Sequence, residues 1–98
     1  MYGLIGRMTA RAGQREALTA ILLDRVALGM PGCLSYVVSH DPADPEAIRV
    51  SEVWINEAAH RDALADEAVK TLLRKGLPLI ATFEDATVTT PVGGLGLG

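Results

Sequence analysis

The sequence contains little cysteine, few aromatic residues and no cluster of positive charge. Its 98 residues include one cysteine, Cys33, and aromatic residues make up 4% of the chain. A single cysteine excludes an internal disulfide and any zinc or iron-sulfur site built from several cysteines, so we interpret Cys33 as a small apolar strand residue. The 9 Lys and Arg residues are scattered among 12 Asp and Glu residues, and the net charge is −3. This pattern disfavours a nucleic-acid partner, because no basic stripe could follow the phosphates.

Long apolar runs and targeting signals are also missing. The start, MYGLIGRM, lacks the basic region and the long apolar stretch of a signal peptide. The apolar run at 18–23 is interrupted by Thr19 and ends at Asp24. We therefore expect a cytoplasmic protein without a membrane partner. No Ser-His-Asp order, phosphate-binding loop or paired metal-ligand spacing occurs, which disfavours hydrolase, kinase and metalloenzyme functions.

What the chain does have is a high share of aliphatic residues. Hydrophobic residues make up 49% of the sequence, although a chain this short has room for only one small core. We predict a single domain at 1–90 and a flexible tail rich in Gly and Leu at 91–98. Because the apolar surface exceeds what one small core can bury, we expect part of it to contact a second subunit.

Hydrophobic periodicity predicts four strands and two helical regions. Alternating apolar residues indicate strands at 2–9, 33–40, 48–55 and 82–89. In the second strand, the alternation places Leu34, Tyr36 and Val38 on one side and Cys33, Ser35 and Val37 on the other. A helix is predicted at 14–28, with an apolar face formed by Leu18, Ile21, Leu22, Val26 and Leu28. Another begins after Asn56, a good N-cap, pauses at Asp66 and continues to Gly76.

This order, β-α-β-β-α-β, predicts an α+β fold of the ferredoxin-like type. In that fold an antiparallel sheet carries both helices on one face. The other face would be bare and apolar, and a second copy of the chain is its simplest cover. We therefore predict a homodimer joined through its sheet faces.

Four segments together resemble a known family. MPGCLSYVV at 30–38, DPADPEA at 41–47, SEVWINEAAH at 51–60 and LPLIATF at 77–83 are similar to the antibiotic biosynthesis monooxygenase-like proteins. These are dimeric α/β-barrel domains that include cofactor-independent quinol and anthrone oxygenases. The resemblance implies a pocket between sheet and helices where an aromatic quinol meets O₂ without metal or flavin. The deprotonated substrate would itself reduce O₂ in one-electron steps.

Two other functions fit the same fold. Related dimers degrade haem with an asparagine on the first strand, a tryptophan and a helix histidine. Here the first strand, YGLIGRMT, has no asparagine, and Leu64 occupies the position one turn after His60, so haem chemistry is disfavoured. Many relatives also carry a histidine where this chain has Ala63. A dimeric binding or stress-response module that holds an apolar ligand without catalysis is the main alternative.

The segment SEVWINEAAH supplies the candidate reactive groups. The period of two places Glu52 and Trp54 on one sheet face, and the following helix can bring His60 back over them. We predict that Glu52 or His60 is the catalytic proton acceptor. The alternative for Glu52 is a salt bridge with Arg25, Arg49 or a partner-chain arginine, and the alternative for His60 is a structural role.

Three further side chains are candidates for substrate binding. Trp54 could stack on a flat aromatic substrate, or it could fill the core between sheet and helix. Tyr36 could donate its hydroxyl to a quinol oxygen, or it could pack in the core or at the dimer contact. Arg25 lies within the apolar arc of the first helix. Its stem should be covered while its guanidinium reaches a rim or a buried acid.

Overall fold

The computed structural model describes residues 1–97 as one α+β domain, so Gly98, the last residue of the predicted tail, lies outside the described residues. The strands are β1 (Tyr2–Ala10), β2 (Cys33–His40), β3 (Ala47–Trp54) and β4 (Ile80–Thr89). The helices are α1 (Arg15–Ala27), α2 (Glu57–Ala65) and α3 (Glu67–Gly76), followed by a short 3₁₀ turn, Leu77–Leu79. The strands form one antiparallel sheet in the order β2-β3-β1-β4. The predicted ferredoxin-like fold is thus confirmed.

The alternation of β3 builds the floor on which the helices pack. Its residues Ile48, Val50, Glu52 and Trp54 lie opposite Met8, Gly6, Leu4 and Tyr2 of β1, and cross-strand partners point to the same side. Ile48 and Trp54 are fully buried. Leu18 and Leu22 of α1 complete the core with Ala10, Ile48 and Val50. The predicted face of β3 is therefore correct.

Side-chain caps divide the second helical region where the sequence indicates. The side chain of Asn56 accepts a hydrogen bond from the Ala59 amide at 2.8 Å. The carboxylate of Asp66 accepts from the amides of Ala68 and Val69 at 3.0 and 3.1 Å. Each cap satisfies amides that have no partner within the helix. The pause at Asp66 separates α2 from α3.

Two predicted faces are wrong in detail. A β-bulge between Cys33 and Ser35 shifts the register of β2, so that Cys33 lies opposite Trp54 while Ser35 lies opposite Val53. Because a bulge adds one residue to a strand, Cys33 shares the helix-covered side with Tyr36 instead of opposing it. In α1, Val26 and Leu28 do not join the core and are 43% and 52% exposed. The buried face of α1 consists of Leu18, Leu22 and Arg25.

The sheet face away from the helices is mixed in character, not uniformly apolar as predicted. One cross-strand row holds Ile5, Ser51 and Val37, and the next holds Arg7, Arg49 and Ser39. The charged row is extended by ion pairs: Arg7 pairs with Asp44 and Glu84, and Arg49 pairs with Asp41. Apolar surface is therefore confined to part of this face.

The last strand begins two residues earlier than predicted, at Ile80, because the 3₁₀ turn delivers the chain directly to the sheet. At its far end, Thr89 lies opposite Gly3 of β1. A Cβ atom on Gly3 would clash with the Thr89 hydroxyl and would lie 2.9 Å from Cγ of Pro91, which follows the strand, so the glycine permits a close approach. Among residues 1–97, no helix is long and apolar enough to cross a membrane.

Candidate functional site

A cleft of about 390 Å³ opens between the helix-covered side of the sheet and the three helices. Its volume lies in the range of small-molecule sites, about 300–1,000 Å³. Most of its lining is apolar and includes Leu4, Met8, Ile21, Leu64, Leu73 and Phe83. Its polar lining includes Arg25, Tyr36, Glu52 and His60. Four of the five candidate residues therefore line one cavity.

Glu52, Trp54 and His60 form a contact group at one end of this cleft. The indole Nε1 of Trp54 donates a hydrogen bond to Oε1 of Glu52 at 3.0 Å. Nε2 of His60 lies 3.9 Å from the same oxygen, and the imidazole meets the indole edge-on with ring centroids 5.4 Å apart. Strand alternation places the first two, and the Asn56 cap starts the helix that brings His60 over them. The group therefore brings two possible proton acceptors, Glu52 and His60, together in the cleft.

Trp54 does not form the wall of the cleft, in contrast to the predicted stacking surface. Its side chain is fully buried and is not part of the cavity lining, whereas its contact partners Glu52 and His60 are. The alternative of a core residue describes its position better. Its indole instead fixes the orientation of the Glu52 carboxylate, since a buried indole N–H requires an acceptor.

Tyr2 is a contact that sequence reasoning missed. Its ring lies 5.5 Å from that of His60, centroid to centroid, and it is the cross-strand partner of Trp54. Two aromatic rings therefore flank the imidazole. The signal that could reveal this contact is the β1–β3 register, which places Tyr2 directly opposite Trp54.

Arg25 and Tyr36 lie next to Glu52 in the lining, because Tyr36 of β2 is the cross-strand partner of Glu52 in β3. The guanidinium carbon of Arg25 lies 5.4 Å from the centre of the Tyr36 ring, a distance at which cation–π attraction operates. Burial raises the pKa of the Tyr36 hydroxyl, and the nearby charge of Arg25 opposes this effect. The phenol is therefore protonated at neutral pH and can donate a hydrogen bond.

The alternative salt bridges of Glu52 are not formed within residues 1–97. Arg25 makes no ion pair with it there, and Arg49 lies on the opposite sheet face beside Asp41 at 3.3 Å.

Burial raises the pKa of the Cys33 thiol, so this sulfur is not an activated nucleophile. No group of three or more His, Cys, Asp or Glu side chains in the described part of the chain is arranged to hold a metal ion.

Comparison with known proteins identifies relatives for nearly the whole chain. Residues 1–75 match the family model described as antibiotic biosynthesis monooxygenase. A crystal structure from Chloroflexus aurantiacus, provisionally assigned to the same family, is 50% identical, with a TM-score of 0.94. The match covers 99% of this chain and 98% of that one. Among curated proteins, none matches.

More distant structures share the fold. SnoaB, a cofactor-independent oxygenase from Streptomyces nogalater, is 19% identical with a TM-score of 0.80, and the match covers 96% of this chain and 95% of that one. A Pseudomonas aeruginosa protein is 27% identical with a TM-score of 0.76, and the match covers 92% and 94%.

Proposed function

Because the chain belongs to the antibiotic biosynthesis monooxygenase family, we propose that it is a cofactor-independent monooxygenase. Its substrate would be an aromatic quinol or an anthrone-type small molecule, and O₂ its oxidant. One observation carries this proposal: a carboxylate, Glu52, is oriented by Trp54 at 3.0 Å and lies 3.9 Å from His60, in a cleft that is otherwise largely apolar. The oxygenase SnoaB, which shares the fold, is a precedent for such chemistry.

The reaction requires no external reductant. In an anthrone, the methylene carbon loses two hydrogens and gains one oxygen atom, while the second atom of O₂ leaves as water. The first step is removal of a proton by Glu52 or His60, which leaves an electron-rich anion able to pass one electron to O₂. The apolar walls keep water away from the anion while it reacts with O₂.

The remaining candidates would bind the substrate or hold the Glu52 carboxylate in position. Tyr36, protonated at neutral pH because burial raises its pKa, would donate a hydrogen bond to a phenolic oxygen of the substrate. Trp54 would hold the Glu52 carboxylate in place. The flat substrate would contact apolar residues of the cleft, among them Leu4, Leu64 and Phe83.

Oxygen uptake by metal-free protein with a panel of anthrones and hydroquinones tests this proposal. We expect uptake above that of the boiled protein for at least one compound. Glu52→Gln should lower the rate by about 100- to 10,000-fold if Glu52 is the base, and His60→Gln should do so if the imidazole is. Uptake that is unchanged when Glu52, His60 and Trp54 are replaced together would refute these roles.

A binding module without catalysis is the second candidate. The largely apolar lining of the cleft favours it, because such walls could hold an apolar ligand without any reaction. Saturable binding of an aromatic compound together with no protein-dependent oxygen uptake across the panel would support this function over the first.

The proposal includes a homodimer and a cytoplasmic location. Ile5 and Val37, in the apolar row of the outer sheet face, are each about half exposed and would be covered by a second copy. The sequence has one cysteine, Cys33, and so no internal disulfide, which is compatible with a reducing compartment.

A further inference from the structure

Arg25 is a buried cation with unused hydrogen-bond donors. The residue is only 6% exposed and lines the cleft. Its Nε and Nη2 atoms have no hydrogen-bond partner among residues 1–97, and no carboxylate there lies within ion-pair distance. A charged group left in this state is unfavourable, because burial removes water without replacing its hydrogen bonds.

The two unpaired atoms lie along the same edge of the planar guanidinium. Nε–H and the nearer N–H of Nη2 point in parallel along one edge, which is the fork that binds planar, two-oxygen anions. A carboxylate offers one charged oxygen to each N–H, whereas a single phenolic or carboxamide oxygen is neutral and would have to accept both bonds itself. The ring of Tyr36, 5.4 Å from the guanidinium carbon, supports the cation from another direction.

The unpaired charge of Arg25 itself favours an anionic ligand group at this point. Glu52 and Asp85 are the carboxylates that line the cleft, and neither forms an ion pair with Arg25. The buried positive charge is therefore not neutralised by a neighbour in the described chain, and a ligand anion would neutralise it.

We propose that the ligand of the cleft is an aromatic carboxylate whose two oxygens are bound side-on by Nε and Nη2 of Arg25. The apolar body of the ligand then lies against the apolar lining of the cleft that also contains Glu52 and His60. The inference rests on the proposed function in one respect, that this cleft is the ligand site, and it narrows the substrate class to acidic aromatic compounds.

Calorimetric titration of the full chain with a matched pair of probes tests the proposal. The probes are 2-naphthoate and 2-naphthamide, which have the same shape and differ in the carboxylate. We expect the wild type to bind the naphthoate at least about tenfold more tightly. Arg25→Gln should abolish this preference. Arg25→Lys, which keeps the charge but not the fork, should retain only part of it.

The control variant is Arg49→Gln, which removes one positive charge from the opposite sheet face and should leave the preference unchanged. Circular dichroism checks the fold of each variant, and if Arg25→Gln does not fold, the wild type and Arg25→Lys decide the question. Equal binding of the two probes by the wild type, no binding of 2-naphthoate, or an unaltered preference in Arg25→Lys would overturn the proposal.

The result is separable from that of the oxygen-uptake assay. Oxygen uptake with neutral anthrones but no preference for 2-naphthoate would remove the carboxylate assignment and leave the oxygenase function standing. A preference for 2-naphthoate without protein-dependent oxygen uptake would support the carboxylate site and remove the oxygenase function.

Discussion

Tyr36 illustrates at the scale of one residue how the cleft controls proton positions. Its ring packs against the core and lies beside Arg25. Burial raises the pKa of the hydroxyl by penalising the phenolate, and the positive charge of Arg25 offsets part of that rise. Tyr36 is therefore a hydrogen-bond donor at neutral pH, and it cannot serve as the base that deprotonates a substrate.

A spectrophotometric titration of Tyr2→Phe, in which Tyr36 is the one remaining tyrosine, checks this environment. We expect its midpoint to lie above the value of about 10 for a free phenol. Because the folded-state pKa exceeds the unfolded one, the contribution of Tyr36 to stability is complete below about pH 10 and is lost as the pH rises through the folded-state value. A midpoint at or below that of N-acetyltyrosinamide would contradict the assigned burial.

The sequence predicts which residues come together at the site, but it does not predict which of them line the cleft and which are buried in the core. The period of two places Glu52 and Trp54 together, and the helix after Asn56 returns His60 to them. Trp54 is buried because β3 pairs with β1 and because the ring of Tyr2 packs beside His60. These contacts join residues far apart in the chain, and local periodicity cannot predict them.

At the scale of one element, the loop before β2 fixes the position of α2. Gly32 has φ +82°, and a Cβ atom on it would lie 2.7 Å from Cβ of Ala59 in α2. Its carbonyl accepts a hydrogen bond from the Ile55 amide at 2.8 Å. Since Ala59 precedes His60, the missing side chain of Gly32 sets how closely the imidazole approaches the sheet.

Substitution of Gly32 by Ala should therefore destabilise the protein and move α2. We expect a loss of about 1–3 kcal/mol in the free energy of unfolding from backbone strain and the clash with Ala59. Gly29→Ala is the matched control, because Gly29 has φ +88° but no atom within 4 Å of the added Cβ. Denaturant unfolding should show a larger loss for Gly32→Ala. Equal losses would mean that contact with α2 is unimportant.

Element boundaries that depend on local capping are readable from sequence, and those that depend on pairing are not. Asn56 and Asp66 start α2 and α3 as predicted because each cap bonds amides two or three residues away. The bulge between Cys33 and Ser35 appears only in the pairing with β3. It transfers Cys33 to the side of Trp54, which strict alternation cannot predict.

At the scale of the whole molecule, the outer sheet face decides how copies of the chain could meet. The row of Ile5, Ser51 and Val37 is apolar in part, while the row containing Arg7 and Arg49 is charged and paired with acidic groups. The difference between the two rows is already visible in the strand sequences. The acidic partners Asp41 and Asp44 come from the β2–β3 loop, whose position only the folded chain reveals.

A charge placed in the apolar row should prevent the proposed dimer. Val37 is 51% exposed, and Val37→Glu would leave an unpaired carboxylate in the interface. Light scattering coupled to gel filtration should give the mass of two chains for the wild type and of one chain for Val37→Glu. Val26→Glu, which places the same charge on α1, should remain dimeric. A monomeric wild type would refute association through this face.

The proposed oxygenase function requires that one atom of O₂ enters an aromatic substrate bound in the cleft that contains Glu52 and His60. The most direct measurement is the oxygen-uptake assay repeated with ¹⁸O₂, metal-free protein and the most active compound of the panel. Mass spectrometry should find one ¹⁸O atom per product molecule, formed at a protein-dependent rate that falls in Glu52→Gln or His60→Gln. Product without ¹⁸O, or product formed no faster than with boiled protein, would refute the proposed oxygenase function.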